Sequence, residues 1–269
     1  MAARHTYRTF RAGAAHGAGA EALEAAWRLE WNSGASRKRQ LKLYLDAARL
    51  GQVDAMINAG SMLEHGDGAD EAPDEARRWW RVAWRHSQDP VAAWNLGLSF
   101  QRIGNRSAAV KWFRHAARAG IVPAMERLAW LLGSGRRTAQ RESVRWLVRL
   151  DALGELAPIS TYNLALAFEF GRGTRKDLRR ALRLYRRAAL AGDADAQVAL
   201  AFNLLRGLGA RHSRRAAIAW YRRAAASGHV SAHFSLGQLL SGAHATRHLA
   251  FAAKRGHRKA RTLLARSRS

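Results

Sequence analysis

The chain has 269 residues, 48% of them apolar, and sets 46 lysines and arginines against 20 acids for a formal net charge of +26. Apolar content on this scale, with ten tryptophans and only four prolines, suits packed helices rather than a disordered basic tail. The absence of cysteine excludes a disulfide framework, a thiolate zinc site and a cysteine nucleophile together, and no apolar run reaches the roughly 18 residues that a spanning helix needs.

The N-terminal stretch MAARHTYRTFRAGAAHGAGA has no apolar core between its arginines and its small residues, so it does not read as a secretory signal. It is acid-free and loosely resembles an organelle transit peptide. The plainer reading is a flexible basic Gly/Ala tail over residues 1–19, on a soluble protein of the cytoplasm. EALEAAWRLEW (21–31) then reads as the first helix of a worn-down repeat.

From there a pattern recurs. Leu43-Tyr44 precedes Ala47-Ala48, and the same spacing returns at Trp112-Phe113, Leu184-Tyr185, Trp220-Tyr221 and His248-Leu249, with degenerate copies at Trp79-Trp80 and Trp146-Leu147. Counted from Tyr44 to Leu249, successive copies lie 36, 33, 34, 38, 36 and 28 residues apart. Gly51, Gly120, Gly154, Gly192, Gly228 and Gly256 close most of these segments, as helix stops that take the left-handed conformation. A second set of helices follows the stops, at 54–63, 91–100, 123–132, 160–170, 195–205 and 231–240. Glycine-rich turns follow them at Gly66/Gly68, Gly133/Gly135, Gly171/Gly173 and Gly207/Gly209. RKARTLLARS (258–267) reads as a terminal capping helix.

The unit is a helix–turn–helix of about 36 residues, too small to bury its apolar face without neighbours. The expected fold is therefore all-α: a right-handed α-solenoid over residues 20–269, of about seven helix pairs plus the capping helix.

The order of a small-residue helix, a G-x-G turn and A-x-x-W-Y-x-x-A-A-x-x-G resembles the Sel-one-like repeat (SLR) family, relatives of the tetratricopeptide repeats. YNLALAFEFGRGTRKDLRRALRLYRRAALAG and AQVALAFNLLRGLGARHSRRAAIAWYRRAAASG carry the resemblance best. The copy around 139–154 departs from it with Ser143, Leu147 and Asp151, and the copy at 106–119 lacks the G-x-G turn. The resemblance implies a non-enzymatic adaptor or scaffold that holds partners on a curved surface, with the first helices lining a concave groove and the second helices on the convex side.

Two candidate surfaces follow. Along the first helices, Asn58, Asn95, Arg127, Asn163 and Ser235 share one repeat position, with Trp94, Tyr162 and Phe234 one residue earlier. An asparagine there can donate to and accept from an extended peptide backbone; it can equally satisfy a neighbouring backbone group. On the second helices, Arg179, Arg180, Arg183, Arg186 and Arg187 fall with Lys176 on one arc opposite the apolar side, and Arg214, Arg215, Arg222 and Arg223 recur one repeat later. Residues 135–269 hold 27 Lys/Arg against 7 acids, with no acid after Asp195. Self-repulsion of this size points to a polyanionic partner, although an arginine-rich codon bias accounts for Arg over Lys. An acidic protein is the leading partner. Sequence-independent nucleic-acid binding is the alternative. A membrane surface fits poorly, because the exposed faces lack inserting Trp, Phe or Leu.

Other motifs resolve to structure. The G-x-G turns follow helices rather than strands, unlike a dinucleotide fingerprint. His229/His233 and His244/His248 have a spacing that can ligate a metal, but they stand in a basic, acid-poor region. No nucleophile elbow or paired carboxylates appear. No cofactor, metal, catalytic residue or small-molecule substrate is expected.

Overall fold

The computed structural model describes residues 18–31 and 37–266; the expected tail falls outside them except for its last two positions, which open the first helix. Among the described residues there are fifteen helices and no strand. They run as α1 (Ala18–Trp31), α2 (Arg37–Arg49), α3 (Val53–His65), α4 (Pro73–Ser87) and α5 (Pro90–Arg102). Next come α6 (Arg106–Arg118), α7 (Val122–Gly133), α8 (Arg137–Ala152), α9 (Pro158–Phe170) and α10 (Leu178–Leu190). The series ends with α11 (Ala194–Arg206), α12 (Arg214–Ala226), α13 (Val230–Leu239), α14 (Gly242–Lys254) and α15 (Arg258–Arg266). The fold is an α-solenoid of helix pairs. It divides into two compact units, Met1–Leu131 and Leu132–Ser269.

In each pair the buried side chain of the second helix is the second member of the repeated dipeptide. Tyr44, Trp80, Phe113, Leu147, Tyr185, Tyr221 and Leu249 are all buried. Their depth depends on a small residue opposite. A Cβ on Gly60 would stand 2.5 Å from Trp80 Nε1, and one on Gly97 or Gly237 would stand 2.5 Å from Phe113 or Leu249. Trp80 then donates its indole N–H to the Ile57 carbonyl at 3.1 Å, so its one polar atom is satisfied inside the core.

Local chemistry sets the helix starts. Asp89, Asn105, Asp177, Asp193 and Ser213 each accept a backbone N–H from the first turn, at 2.7–3.3 Å. The stop glycines Gly51, Gly120, Gly154, Gly192, Gly228 and Gly256 all take the expected positive φ.

The repeats are joined in two ways. In the seven-residue turns after α3, α9 and α11, the second glycine lies against the second helix of the preceding repeat. A Cβ on Gly68, Gly173 or Gly209 would come within 2.4 Å of backbone at Arg37, Gln140 or Leu178. The Gly133/Gly135 pair does not belong to this class: α7 runs through Gly133, only three residues link it to α8, and neither glycine has positive φ. Where the connection is short, an arginine early in the preceding second helix closes the junction. Arg77 donates to Ser99 Oγ at 2.7 Å, Arg106 donates to the Leu131 carbonyl, and Arg214 to the Leu239 carbonyl.

The close approach predicts a difference between two alanine substitutions at positive φ. Gly192 has φ +93° and open space around it, so Gly192→Ala bears only the left-handed strain, about 1–2 kcal/mol. Gly209→Ala bears that strain and an overpacked junction, about 1–3 kcal/mol more. Thermal unfolding should give Gly209→Ala the clearly lower Tm; equal losses would mean that the junction yields.

Candidate partner-binding surfaces

The expected asparagine row does not form one continuous surface. Asn58 and Asn95 are buried, and Asn95 donates to Ser61 Oγ at 3.4 Å. Nearly all of α3 from Ala55 to Glu64 is enclosed, and Asn95 of α5 lies on Ser61, one turn along α3 from Asn58; the Ser99–Glu64 bond at 3.2 Å joins the same two helices. Arg127 and Asn163 are exposed, while Ser235 is half-buried and hydrogen-bonded with Tyr221.

The aromatic positions one residue earlier turn inward by about 100° relative to the asparagine register. Trp94 packs on Phe113 with ring centroids 5.3 Å apart, and Tyr162 on Tyr185 at 5.7 Å. Phe234 is stacked under His257 at 4.2 Å. Burial, followed by Asp195, Asp193 and Glu169, holds the Tyr162 phenol above its ordinary range. These three rings hold helices together and are half-buried rather than displayed.

The register that does face outward in the second unit is the asparagine register itself. On α9 it reads Ile159, Asn163, Leu166, Phe170, and on α11 Asp195, Ala199, Phe202, Arg206, a spacing of i, i+4, i+7, i+11. Ile159, Phe170 and Phe202 leave 53%, 56% and 47% of their surface exposed. Arg172 lies over the Phe170 ring at 5.0 Å. The two helices are held side by side by Asn203, which donates to Glu169 at 3.3 Å, and Glu169 also accepts from Tyr185 at 2.5 Å. That link repeats the Ser99–Glu64 bond of the first unit, at the same repeat positions. In the first unit the corresponding exposed apolar residue is Trp130, beside Arg127 on α7. Extending the asparagine register along each helix was the sequence signal for these residues.

The second-helix arginines separate into two groups. Arg180 lies over the Phe168 ring at 4.2 Å, Arg187 pairs with Asp151 at 2.6 Å, and Arg223 lies over Trp220 at 4.7 Å. With Arg214 at its repeat junction, these four have work inside the fold. Arg179, Arg183, Arg186, Arg215 and Arg222 are exposed on α10 and α12. Six of the seven acids in this half are already engaged: Glu142 with Trp146, Asp151 with Arg187, Glu169 with Tyr185 and Asn203, Asp177 and Asp193 as helix caps, and Asp195 with His229 at 3.0 Å.

The Sel1 repeat family matches this chain at residues 53–83, 90–121, 158–193 and 194–229, together half of its length. The chain belongs to the Sel1 repeat family. Among solved structures, a protective antigen of uropathogenic Escherichia coli with an SLR fold is similar over 91% of this chain, at 22% identity and a TM-score of 0.74. The chain spans 56% of the length of that antigen. A Sel1 repeat protein from Oxalobacter formigenes is similar over 86% of this chain and 96% of its own length, at 24% identity and a TM-score of 0.59. No curated protein matches the sequence. No helix among the described residues of this Sel1 repeat chain is long and apolar enough to cross a membrane.

The histidines of the last repeats serve its packing. His229 caps α13, accepting the Ala232 N–H at 3.4 Å, and His257 accepts from Ala260 N–H at 3.3 Å. His233 is paired not with His229 but with His248, Nδ1 to Nδ1 at 2.9 Å, while its Nε2 faces the Ala225 carbonyl at 3.1 Å and its ring stacks on Phe251. Burial holds both imidazoles below the ordinary histidine value. Arg255 adds to this at His233, and His233, Arg222, His244 and Arg247 add to it at His248. A depressed folded-state value means that the unfolded chain takes up protons first as pH falls. Stability from this pair is therefore complete above about pH 6.5 and is lost as pH drops below it. Thermal unfolding should show Tm falling from about pH 7.5 to about pH 5.5, and His248→Gln should flatten that fall; an unchanged slope would remove the pair from the balance.

Proposed function

We propose that this chain is a non-enzymatic protein-interaction scaffold, working in the cytoplasm, whose first-helix face between residues 158 and 239 receives an acidic protein segment. The observation that carries this reading is the outward stripe of α9 and α11. Two phenylalanines and an isoleucine stay half-exposed there on rigid helices, with Asn163 between them and Arg172 and Arg206 at the ends. Apolar anchors framed by polar and charged groups are the composition of an interface core and its rim. Asn163 supplies one donor and one acceptor for a partner backbone. The net charge of +26 raises the encounter rate of an acidic partner more than it strengthens the final complex. The lack of cysteine is compatible with a reducing compartment.

The test separates anchors from steering charge. Phe170→Ala with Phe202→Ala should weaken the protein partner about 30-fold per anchor, the consequence of losing about 2 kcal/mol at each, with helicity near wild type and only a modest fall in Tm because both rings are half-exposed. Arg172→Ala with Arg206→Ala should instead slow association and leave dissociation nearly unchanged in surface plasmon resonance. A phenylalanine double variant that binds its partner like wild type would overturn this reading.

A further inference from the structure

The second-helix face of the unit Leu132–Ser269 differs from the first-helix face in composition: on α10 and α12 it shows arginines, with Leu190 the one large apolar residue left exposed. On α10 the exposed positions are Arg179, Arg183, Arg186, Arg187 and, at the last residue, Leu190. On α12 they are arginines and alanines. Neither helix contains a carboxylate. Of the carboxylates beside them, Asp177 spends its side chain on the Arg180 N–H at 2.9 Å, and Asp151 of α8 is taken by Arg187 at 2.6 Å.

The cations are also in register. Arg141, Arg179 and Arg215 hold one repeat position at the starts of α8, α10 and α12, and Arg186 and Arg222 hold another seven residues on. The helices bearing them are tied together. Arg187 of α10 reaches Asp151 of α8, and the turn glycines Gly173 and Gly209 seat the next repeat on the starts of α8 and α10. Packing thus fixes the columns, while the guanidinium groups of Arg179, Arg183, Arg186, Arg215 and Arg222 remain exposed.

A protein partner draws its binding energy from buried aromatic and aliphatic anchors, and α10 and α12 offer only Leu190, at the end of its helix. A nucleic-acid backbone draws it from counterion release, which requires only cations at the phosphates. Arginine also matches phosphate in planar, two-pronged fashion. We propose that the second-helix face of α8, α10 and α12 binds the phosphate backbone of nucleic acid without reading its sequence. No aromatic ring stands exposed between the columns to stack a base, so single-stranded and duplex forms are held through charge alone. The surface is separate from the phenylalanine stripe, and the protein-scaffold reading stands or falls independently of it.

Fluorescence anisotropy with fluorescein-labelled DNA of mixed sequence, single-stranded and duplex, tests this on the full chain. At about 150 mM salt the wild type should bind with a Kd between about 1 and 100 micromolar, and at about 50 mM correspondingly tighter. Five phosphate contacts at a slope of about −0.7 each should weaken single-strand binding about 100-fold between about 50 and 200 mM salt. Arg179→Glu, Arg186→Glu, Arg215→Glu and Arg222→Glu combined should abolish binding. The same four changed to Gln should cost about tenfold or more and flatten the salt slope, which keeps the test decisive should the charge reversal impair folding. Phe170→Ala with Phe202→Ala should bind DNA like wild type. Absence of binding at about 50 mM salt, an arginine-independent affinity, or tighter binding of poly-glutamate than of DNA with the same arginine dependence would each overturn the proposal; the last would make the face an acidic-protein site.

Discussion

The spacing of the array rests on how closely a turn can approach the helix before it. At Gly68, Gly173 and Gly209 the turn lies so near the preceding second helix that a methyl group would be 2.4 Å from its backbone. Real carbon atoms do not come that close, and the same glycines sit at positive φ, so two independent constraints select one residue. The approach lets each repeat share a buried seam with the next, which is what a unit too small to fold alone requires. Where the connection shortens to two or three residues that seam cannot be built, and Arg77, Arg106 or Arg214 takes over by reaching from one repeat to the end of the next first helix. An arginine-rich chain therefore places part of its charge in its own junctions.

Within a repeat, the size of the second-helix core residue is set against the smallness of the residue facing it. Gly60 and Gly97 admit Trp80 and Phe113, whereas Ala165 and Ala201 hold the same register on the helices that face Tyr185 and Tyr221. Protein interiors have little slack for added carbon atoms, so the pairing of ring and glycine acts as one unit.

Most of the fold was legible because its causes are local and recur. The stop glycines and the buried dipeptide position lie in the repeat period, and each returned where the period put it. The misreadings came where one copy differs in length or where a neighbour intervenes. Gly133 and Gly135 look like the other turns in letters, but the linker to α8 is too short to seat them on a preceding helix. Asn58 has the same repeat position as Asn163, yet α3 is enclosed along most of its length and α9 keeps an exposed strip, so one is buried and the other exposed. The inward tilt of Trp94, Tyr162 and Phe234 follows from a single residue step of about 100°. The pairing of His233 with His248 joins two helices and has no sequence period at all.

The two faces of the second unit illustrate how one amphipathic logic yields two surfaces of different chemistry. A first helix is flanked by helices on several sides, so its outward strip is narrow and can keep apolar residues in place on a stiff frame. On α10 and α12 the second helix exposes an arc that the chain fills mainly with arginine. Six of the seven acids in this half have structural duties, among them the caps at Asp177 and Asp193, the inter-repeat link at Glu169 and the partner of Arg187 at Asp151. With these acids so engaged, the outer arginines of α10 and α12 are left without intramolecular compensation. Mutual repulsion among those arginines then disfavours the free state, and a bound polyanion relieves it.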